Sequence, residues 1–341
     1  MNKIFVGNAL DMAKKLEDNS INAIVTSPPY WGLRDYGEDT NTKIWDGDFS
    51  CDHVWGKNQP PLRSSWGDVK SLSKKQSTNR GSLQNISAME SSMGNFCQNC
   101  SAWKGQLGLE PDYKLFIKHL VDIFEALKPK LKKDGSLWVN LGDTYSGLKV
   151  GNTDLKNTNV NSETFTKPKS SVKSKSQIGI PERFKIAMID NGWICRNTII
   201  WHKPNVMPQS AKDRYTNDFE YFFFFTKNKK YYFKQQVEEN NRNKRSTWSI
   251  NTKSFKESHF AVFPRELIKS PIDACVPKKN GVVLDPFFGS GTVGVEALWQ
   301  DVNYIGFEVN PKYVDIAKKR LRKETMKKSR SDKMKKQREI F

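Results

Sequence analysis

The sequence predicts an α/β fold built on a doubly wound, mainly parallel sheet whose strands are met out of spatial order. Three observations lead there. Residues 281–321, "GVVLDPFFGSGTVGVEALWQDVNYIGFEVNPKYVDIAKKRL", read as strand, glycine loop, helix, strand, helix, the opening unit of a parallel sheet. That unit stops with only two strands made. A further strand–helix–strand, residues 4–26, stands at the start of the chain instead. A sheet cut open between its second and third strands reads in this order. Its strand ends then share one carboxyl edge, where such sheets bind ligands.

Taken in order, residues 4–6 read as a strand, 11–16 as a short helix and 23–26 as a second strand. "TSPPYW" follows at 26–31. Two prolines at a strand end give a stiff, extended exit with no N–H to donate. Residues 37–106 are rich in Ser, Asn, Gly and Lys with little periodicity, and read as an insertion or long loop. From 112 to 131, Leu115, Phe116, His119, Leu120, Ile123, Phe124 and Leu127 recur at helical spacing. "DGSLWVNLGD" (134–143) is a turn and an apolar strand, and 146–178 is a polar connection. Residues 181–191 form a helix with proline in its first turn. "GWICRNTIIWHKP" and "FEYFFFFTK" read as an antiparallel pair, with 221–225 as a buried sheet edge. The basic, aromatic stretch 228–258 suits either a solvated loop or contact with nucleic acid.

The 341 residues carry a formal net charge of +19. From Lys318 onward, twelve basic and three acidic residues supply +9 of it. The body keeps the rest, so a polyanionic partner, nucleic acid, is expected. No run of about 18 apolar residues exists and the first segment lacks a signal-peptide core, so no membrane partner and a cytoplasmic location are expected. Five cysteines in such a chain do not suggest a disulfide framework. Cys195 and Cys275 fall in apolar patterns and read as core.

The glycine loop carries the first chemistry. Gly289, Ser290 and Gly291 follow a strand and open a helix, and Glu308 ends the next strand seventeen positions past Gly291. An acid there accepts from ribose hydroxyls. Asp285 stands where a dinucleotide's pyrophosphate would arrive and repels it. A nucleoside with a cationic, amino-bearing group fits better, and S-adenosylmethionine has a sulfonium and an α-amino group. A nicotinamide enzyme is the disfavoured alternative.

The pair "TSPPYW" and "DPFFGSGT" resembles the DNA amino-methyltransferases, of the group in which the catalytic motif precedes the cofactor motif. "FAVFPRELI" (260–268) resembles that group's methionine-side motif and "IFVGNAL" its adenine-side strand. The resemblance implies a circularly permuted, Rossmann-like methyltransferase fold with a mainly parallel seven-stranded sheet and an antiparallel hairpin. One catalytic domain is then expected from 1–36, 103–235 and 259–324, with an insertion at 37–102, target-recognition segments at 228–258 and in 146–178, and a basic tail at 325–341. Cofactor residues implied are Asn8, Phe263, Pro264, Asp285, Pro286, Phe287, Gly289, Ser290, Gly291, Thr292 and Glu308. Related proteins often carry Asp at the Asn8 position; Asn accepts through its oxygen and also donates, so binding is expected to survive.

The catalytic residues implied are Ser27, Pro28, Pro29 and Tyr30. An exocyclic base amine is a poor nucleophile because its lone pair is delocalised into the ring. It needs acceptors for its hydrogens: the Ser27 hydroxyl, and a main-chain carbonyl of Pro28 or Pro29. Tyr30 can stack on a base that has left the duplex. Ser at this position is typical of cytosine-N4 methylation, and Asp or Asn of adenine-N6 methylation. The expected activity is therefore S-adenosylmethionine-dependent cytosine-N4 methylation of double-stranded DNA, in a prokaryotic or phage restriction–modification system with a cognate restriction endonuclease. The alternatives are adenine-N6 methylation and a non-catalytic DNA-binding protein. Separately, Cys51, His53, Cys97 and Cys100 have ligand types that suit a closed structural zinc site.

Overall fold

The apolar runs assemble into one large sheet in the computed structural model, which describes residues 2–33, 42–48, 50–56, 95–147, 171–253 and 263–338. In chain order the elements are β1 (Lys3–Val6), α1 (Ala9–Ala13), β2 (Ile21–Thr26), β3 (Lys43–Trp45), β4 (Trp55–Gly56), β5 (Phe96–Cys97) and β6 (Trp103–Gly105). Then come α2 (Tyr113–Leu127), β7 (Leu131–Leu141), α3 (Ile180–Asp190), β8 (Ile194–His202), β9 (Phe219–Thr226) and β10 (Thr247–Ser249). The cofactor-motif half is α4 (Arg265–Cys275), β11 (Val282–Asp285), α5 (Thr292–Trp299), β12 (Asn303–Glu308) and α6 (Pro311–Arg338).

The large sheet runs β1-β12-β11-β2-β7-β9-β8-β10. The strand outside β12 is β1, and β2 lies on the other side of β11, both parallel to their neighbours. This is the doubly wound order opened as the sequence suggested. Seven strands carry it, and the three-residue β10, parallel to β8, adds an eighth at the edge. The antiparallel hairpin is β8–β9. Its β9 is not an edge: it lies between β7 and β8. That position explains why Phe222, Phe223, Phe224 and Phe225 are all buried. Successive side chains point to opposite faces, so a strand covered on both sides reads as a continuous apolar run.

Phe223, Phe225, Ile24 and Leu137 join the core under α1, α2 and α3. Phe222, Phe224, Val25 and Trp138 join the core under α4, α5 and α6. Trp138 stacks on Phe224 with centroids 4.1 Å apart. Each fully buried aromatic contributes about 1.5–3 kcal/mol. Asp112 caps α2 by accepting from the Lys114 N–H at 2.7 Å. The basic tail is largely helix, since α6 continues to Arg338. Among the described residues no helix is long and apolar enough to cross a membrane.

Residues 37–106 read as an insertion or long loop; their described parts form a second, antiparallel sheet ordered β3-β6-β5-β4. It includes Trp103–Gly105, so it reaches past the expected boundary at 102. Its anchor is His119 of α2, stacked on Trp45 at 4.4 Å and on Trp103 at 5.6 Å. The His119 Nδ1 meets Glu110 Oε1 at 2.9 Å and its Nε2 meets Asp46 Oδ2 at 3.3 Å. Burial opposes a charge on this ring, but the Asp46 and Glu110 carboxylates outweigh it and raise the pKa. In the helical pattern His119 looked like one more core position; its two carboxylates come from outside the helix.

The segment 228–258 also divides. The Tyr232 N–H donates to the Asp134 carbonyl and the Lys234 N–H to the Ala274 carbonyl, at the amino end of β7 and the exit of α4. Tyr231 and Phe233 pack on Phe224. Tyr231 is half-buried and Phe233 exposed, on the edge away from the carboxyl ends of β2 and β11. Among the described residues of this segment, 250–253, after β10, return to the carboxyl edge, with Thr252 and Lys253 lining the cavity described below; 254–258 lie outside the described residues.

Candidate active site

Strands β2 and β11 are parallel neighbours, with Ile24 opposite Leu284. The connections leave them in opposite directions, which opens a crevice beyond their carboxyl ends. Thr26 Oγ1 donates to Asp285 Oδ1 at 2.6 Å. One hydrogen bond thus joins the first residue of "TSPPYW" to the first of "DPFFGSGT", 259 positions apart. A cavity of about 380 Å³ lies above this joint, within the size range of small-molecule sites. Ser27, Pro28, Pro29 and Tyr30 line one side, and Asp285, Pro286, Phe287, Gly289, Ser290, Thr292 and Glu308 the other. Phe263 and Asn8 also line it.

On the cofactor-motif side, Asp285 Oδ1 accepts a second bond, from the Phe287 N–H at 3.0 Å. Burial, with the nearby Glu308 carboxylate adding to it, pushes the Asp285 pKa up to about 7 against those two bonds. Glu308 is held by two amides: Gly289 N–H to Oε2 at 2.8 Å and Asn310 N–H to Oε1 at 2.9 Å. Burial raises its pKa as well. Gly289 has φ +49°, and a Cβ there would meet nothing nearer than the Phe287 carbonyl at 4.0 Å. The loop therefore presents bare backbone to the cavity at this point. Arg320 Nη1 donates to Ser290 Oγ at 3.1 Å and to Thr292 Oγ1 at 3.0 Å, bracing the loop from α6.

Three of the expected cofactor residues also have structural roles. Gly291 does not line the cavity; it caps α5 in the left-handed region at φ +81°, with Ala317 Cβ and Phe288 Cε1 each 3.2 Å from where its Cβ would stand. Pro264 is buried at the N-cap of α4, behind Phe263. Asn8 faces the cavity, but its side chain is committed. Its Oδ1 accepts from the Asp11 N–H at 3.0 Å and from Lys43 Nζ at 3.2 Å, and its Nδ2 donates to Asp11. Asn8 caps α1, and the pairing with Lys43 comes from β3 of the small sheet. The short spacing to Asp11 was readable as a cap; Lys43 was not readable at all.

On the catalytic-motif side, Ser27 is half-buried and Trp31 is fully buried, its Nε1 donating to the Glu110 carbonyl at 2.9 Å. Trp31 is an anchor for the Pro-Pro exit. Tyr30 is locked by partners from other strands. Its hydroxyl meets Glu220 Oε2 at 2.7 Å and Asn140 Oδ1 at 3.1 Å, and Ser27 Oγ at 3.4 Å. Asn140 Nδ2 also donates to Glu220 Oε2 at 3.0 Å. Lys203 Nζ balances the charge at Glu220 Oε1, 2.9 Å away. Gly142 makes room for the ring: a Cβ there would sit 2.7 Å from Tyr30 Cε2. Asn140 and Gly142 lie in "VNLGD" and Glu220 in "FEYFFFF", where a polar residue beside an apolar strand was the available signal.

The four candidate metal ligands do come together, in the small sheet and apart from the cavity.

These residues fit S-adenosylmethionine. The cavity offers two carboxylates, Asp285 and Glu308, plus open backbone at Gly289 and apolar faces from Phe287 and Phe263. The profile of the N6/N4 family, described as DNA methylase, matches residues 21–319. The chain belongs to this DNA methylase family. Type II methyltransferase M.Cfr9I of Citrobacter freundii is 37% identical over 329 residues, spanning 94% of this chain and 88% of the relative. M.SmaI of Serratia marcescens is 33% identical over 329 residues, spanning 94% and 90%. Among solved structures, the cytosine-N4-specific PvuII DNA methyltransferase matches this methylase with a TM-score of 0.56 at 17% identity, over 93% of this chain and 85% of that one. TTHA0409 of Thermus thermophilus, complexed with S-adenosyl-L-methionine, matches with 0.53 at 17%, over 95% of each chain. At those identities the two structures show the shared fold.

Proposed function

We propose that this type II DNA methyltransferase methylates the exocyclic N4 amine of cytosine in duplex DNA, as the modification half of a restriction–modification pair whose endonuclease reads the same site. The observation that carries the reading is the joint at the switch point: Thr26 bonded to Asp285 places the Ser27-Pro28-Pro29-Tyr30 exit beside the cofactor loop in one cavity. When bound, S-adenosylmethionine would supply a methyl group from its sulfonium, whose sulfur leaves as a neutral thioether. Asp285 would hold the amino group, Glu308 the ribose, and Phe287 and Phe263 would give apolar contact.

The target base leaves the duplex, because its amine is otherwise paired. Ser27 Oγ and a carbonyl of the Pro-Pro exit accept the two amine hydrogens, which turns the nitrogen lone pair toward the incoming methyl. Positioning carries most of the acceleration. Tyr30 stacks on the base, and Glu220 and Asn140 hold its hydroxyl so the ring cannot turn away. Ser27 Oγ, Tyr30 Oη and Glu220 Oε2 also form a hydrogen-bonded line, 3.4 and 2.7 Å per step, along which the surplus amine proton can leave. A serine at position 27, rather than an acid or amide, favours cytosine.

Base readout belongs to segments at the carboxyl edge. Residues 146–178 begin and end there, and so does the loop 203–218 after β8, which exposes Met207 and Tyr215. The test is expression in a host lacking DNA methylation, followed by digestion to nucleosides and chromatography with mass detection. N4-methylcytosine, resolved from its 5-methyl isomer, is the expected product. N6-methyladenine alone would overturn the choice of base, and unmodified DNA would overturn the activity.

A further inference from the structure

We propose that Cys51, His53, Cys97 and Cys100 bind one zinc ion, and that this ion holds the small sheet in place as a wall of the cofactor cavity. The four donor atoms lie within 4.8 Å of one another. Cys51 Sγ is 3.8 Å from Cys97 Sγ, and Cys100 Sγ is 3.4 Å from His53 Nδ1. With zinc–sulfur bonds of about 2.3 Å and zinc–nitrogen bonds of about 2.0 Å, a tetrahedron has edges of about 3.8 Å between sulfurs and about 3.5 Å between sulfur and nitrogen. Both measured edges match, and the longest separation closes by about 1 Å on an ion of this kind.

The Ser101 N–H closes the turn on the Cys97 carbonyl at 3.0 Å, and Ser101 takes φ +64°. All three thiols are free of disulfides. Three thiolates and one imidazole complete a four-coordinate set with no position for water or substrate, the form of a structural site.

The sheet needs such a staple. Its strands have only three, two, two and three residues. An element that small buries too little apolar surface to hold itself. The ligands fall where the two described pieces of chain must be joined: Cys51 and His53 between β3 and β4, Cys97 in β5, Cys100 ahead of β6. Strand β3 then delivers Lys43 to Asn8 and Asp11, at 3.2 and 3.1 Å, and Trp45 to the cavity wall. Loss of the ion loosens both.

The test uses the full-length protein without a metal-binding tag, purified from zinc-supplied cells. Elemental analysis is expected to give one zinc per chain. Less than about a tenth of an equivalent, or an intact mass two hydrogens lighter from a Cys51–Cys97 disulfide, overturns the site. Cobalt(II) exchanged into the same protein is expected to give the intense visible bands of tetrahedral thiolate coordination; octahedral cobalt spectra overturn the ligand set without any variant having to fold. Cys100→Ser and His53→Ala are expected to lose the metal. For the wall, calorimetry of S-adenosylmethionine binding before and after chelation is expected to show at least a tenfold loss, restored by zinc. Equal affinity with and without metal overturns the coupling. That last arm rests on the cofactor reading, and binding by the zinc-loaded protein is the control that separates the two failures.

Discussion

Replacing Asp285 by Asn isolates one charge at the centre of the site. The amide oxygen can still accept from Thr26 and from the Phe287 N–H, so both bonds and the local shape are kept. What disappears is a buried carboxylate beside Glu308, whose pKa stands at about 7 instead of 3.8. A rise of roughly three units corresponds to about 4 kcal/mol. A carboxyl whose folded pKa is raised binds its proton more tightly in the native state. Its cost to stability is absent below about pH 4, grows as pH climbs, and is complete above about pH 7. The ligand-free Asp285→Asn protein should therefore be more stable at pH 8, by up to that amount. Unfolding entropy of about 2 cal/mol/K per residue converts this to a rise on the order of 5 °C in Tm. The gain should shrink toward zero near pH 4. The same change should weaken S-adenosylmethionine binding about 10–100-fold, the loss of one charge-assisted hydrogen bond of about 1.5–3 kcal/mol. Thermal melts at pH 8 and pH 5 and calorimetric titrations measure the two effects. A ligand-free protein that melts lower at pH 8, or a cofactor affinity that does not change, refutes the reasoning.

Other outcomes follow from the same geometry. Cofactor affinity of the unaltered protein should strengthen as pH rises toward about 7 and then level off, with a proton released on binding below that value; calorimetry in buffers of different ionisation heat reads it, and a pH-independent affinity contradicts the Asp285 assignment. Ser27→Ala should lower kcat about 10–100-fold, the worth of one acceptor in the reacting geometry, while the cofactor Kd stays put; a shifted Kd would mean Ser27 serves the cofactor. Glu220→Gln should lower single-turnover methylation by a similar factor of about 10–100, with Glu220→Asp recovering little because Tyr30 is then out of reach. Unchanged rates would remove Glu220 from the site. Gly291→Ala should cost about 1–2 kcal/mol for the left-handed backbone alone, more with the 3.2 Å approaches to Ala317 and Phe288, read as a lower Tm.

Much of the fold was legible because its signals are local. The strand–glycine loop–helix–strand at 281–308 and the apolar runs of β2, β7 and β9 announce themselves through spacing and side-chain type alone. Their order along the chain even revealed where the sheet is opened. What misled was anything whose partner is distant. Four consecutive phenylalanines say that a strand is covered on both faces; they do not say whether it ends a sheet or sits inside one. The mixed aromatic and basic stretch at 228–246 looked the same whether its rings met DNA or Phe224. Short strands such as β4 and β5 carry too few residues to show a period, so the small sheet read as loop.

The sequence by itself determined the chemistry on offer: Ser27 and Tyr30 beyond a rigid Pro-Pro exit, Asp285 and Glu308 about a glycine loop, and the DNA methylase family to which such a pair belongs. Only the tertiary structure decided how these groups are held. Thr26 meets Asp285, Tyr30 meets Glu220 and Asn140, and Lys43 meets Asn8 because β2, β11, β7, β9 and the small sheet converge at one edge. Residue type sets what a side chain can donate or accept. Which partner it finds is set by the packing of strands far apart in the chain, and no local pattern encodes that.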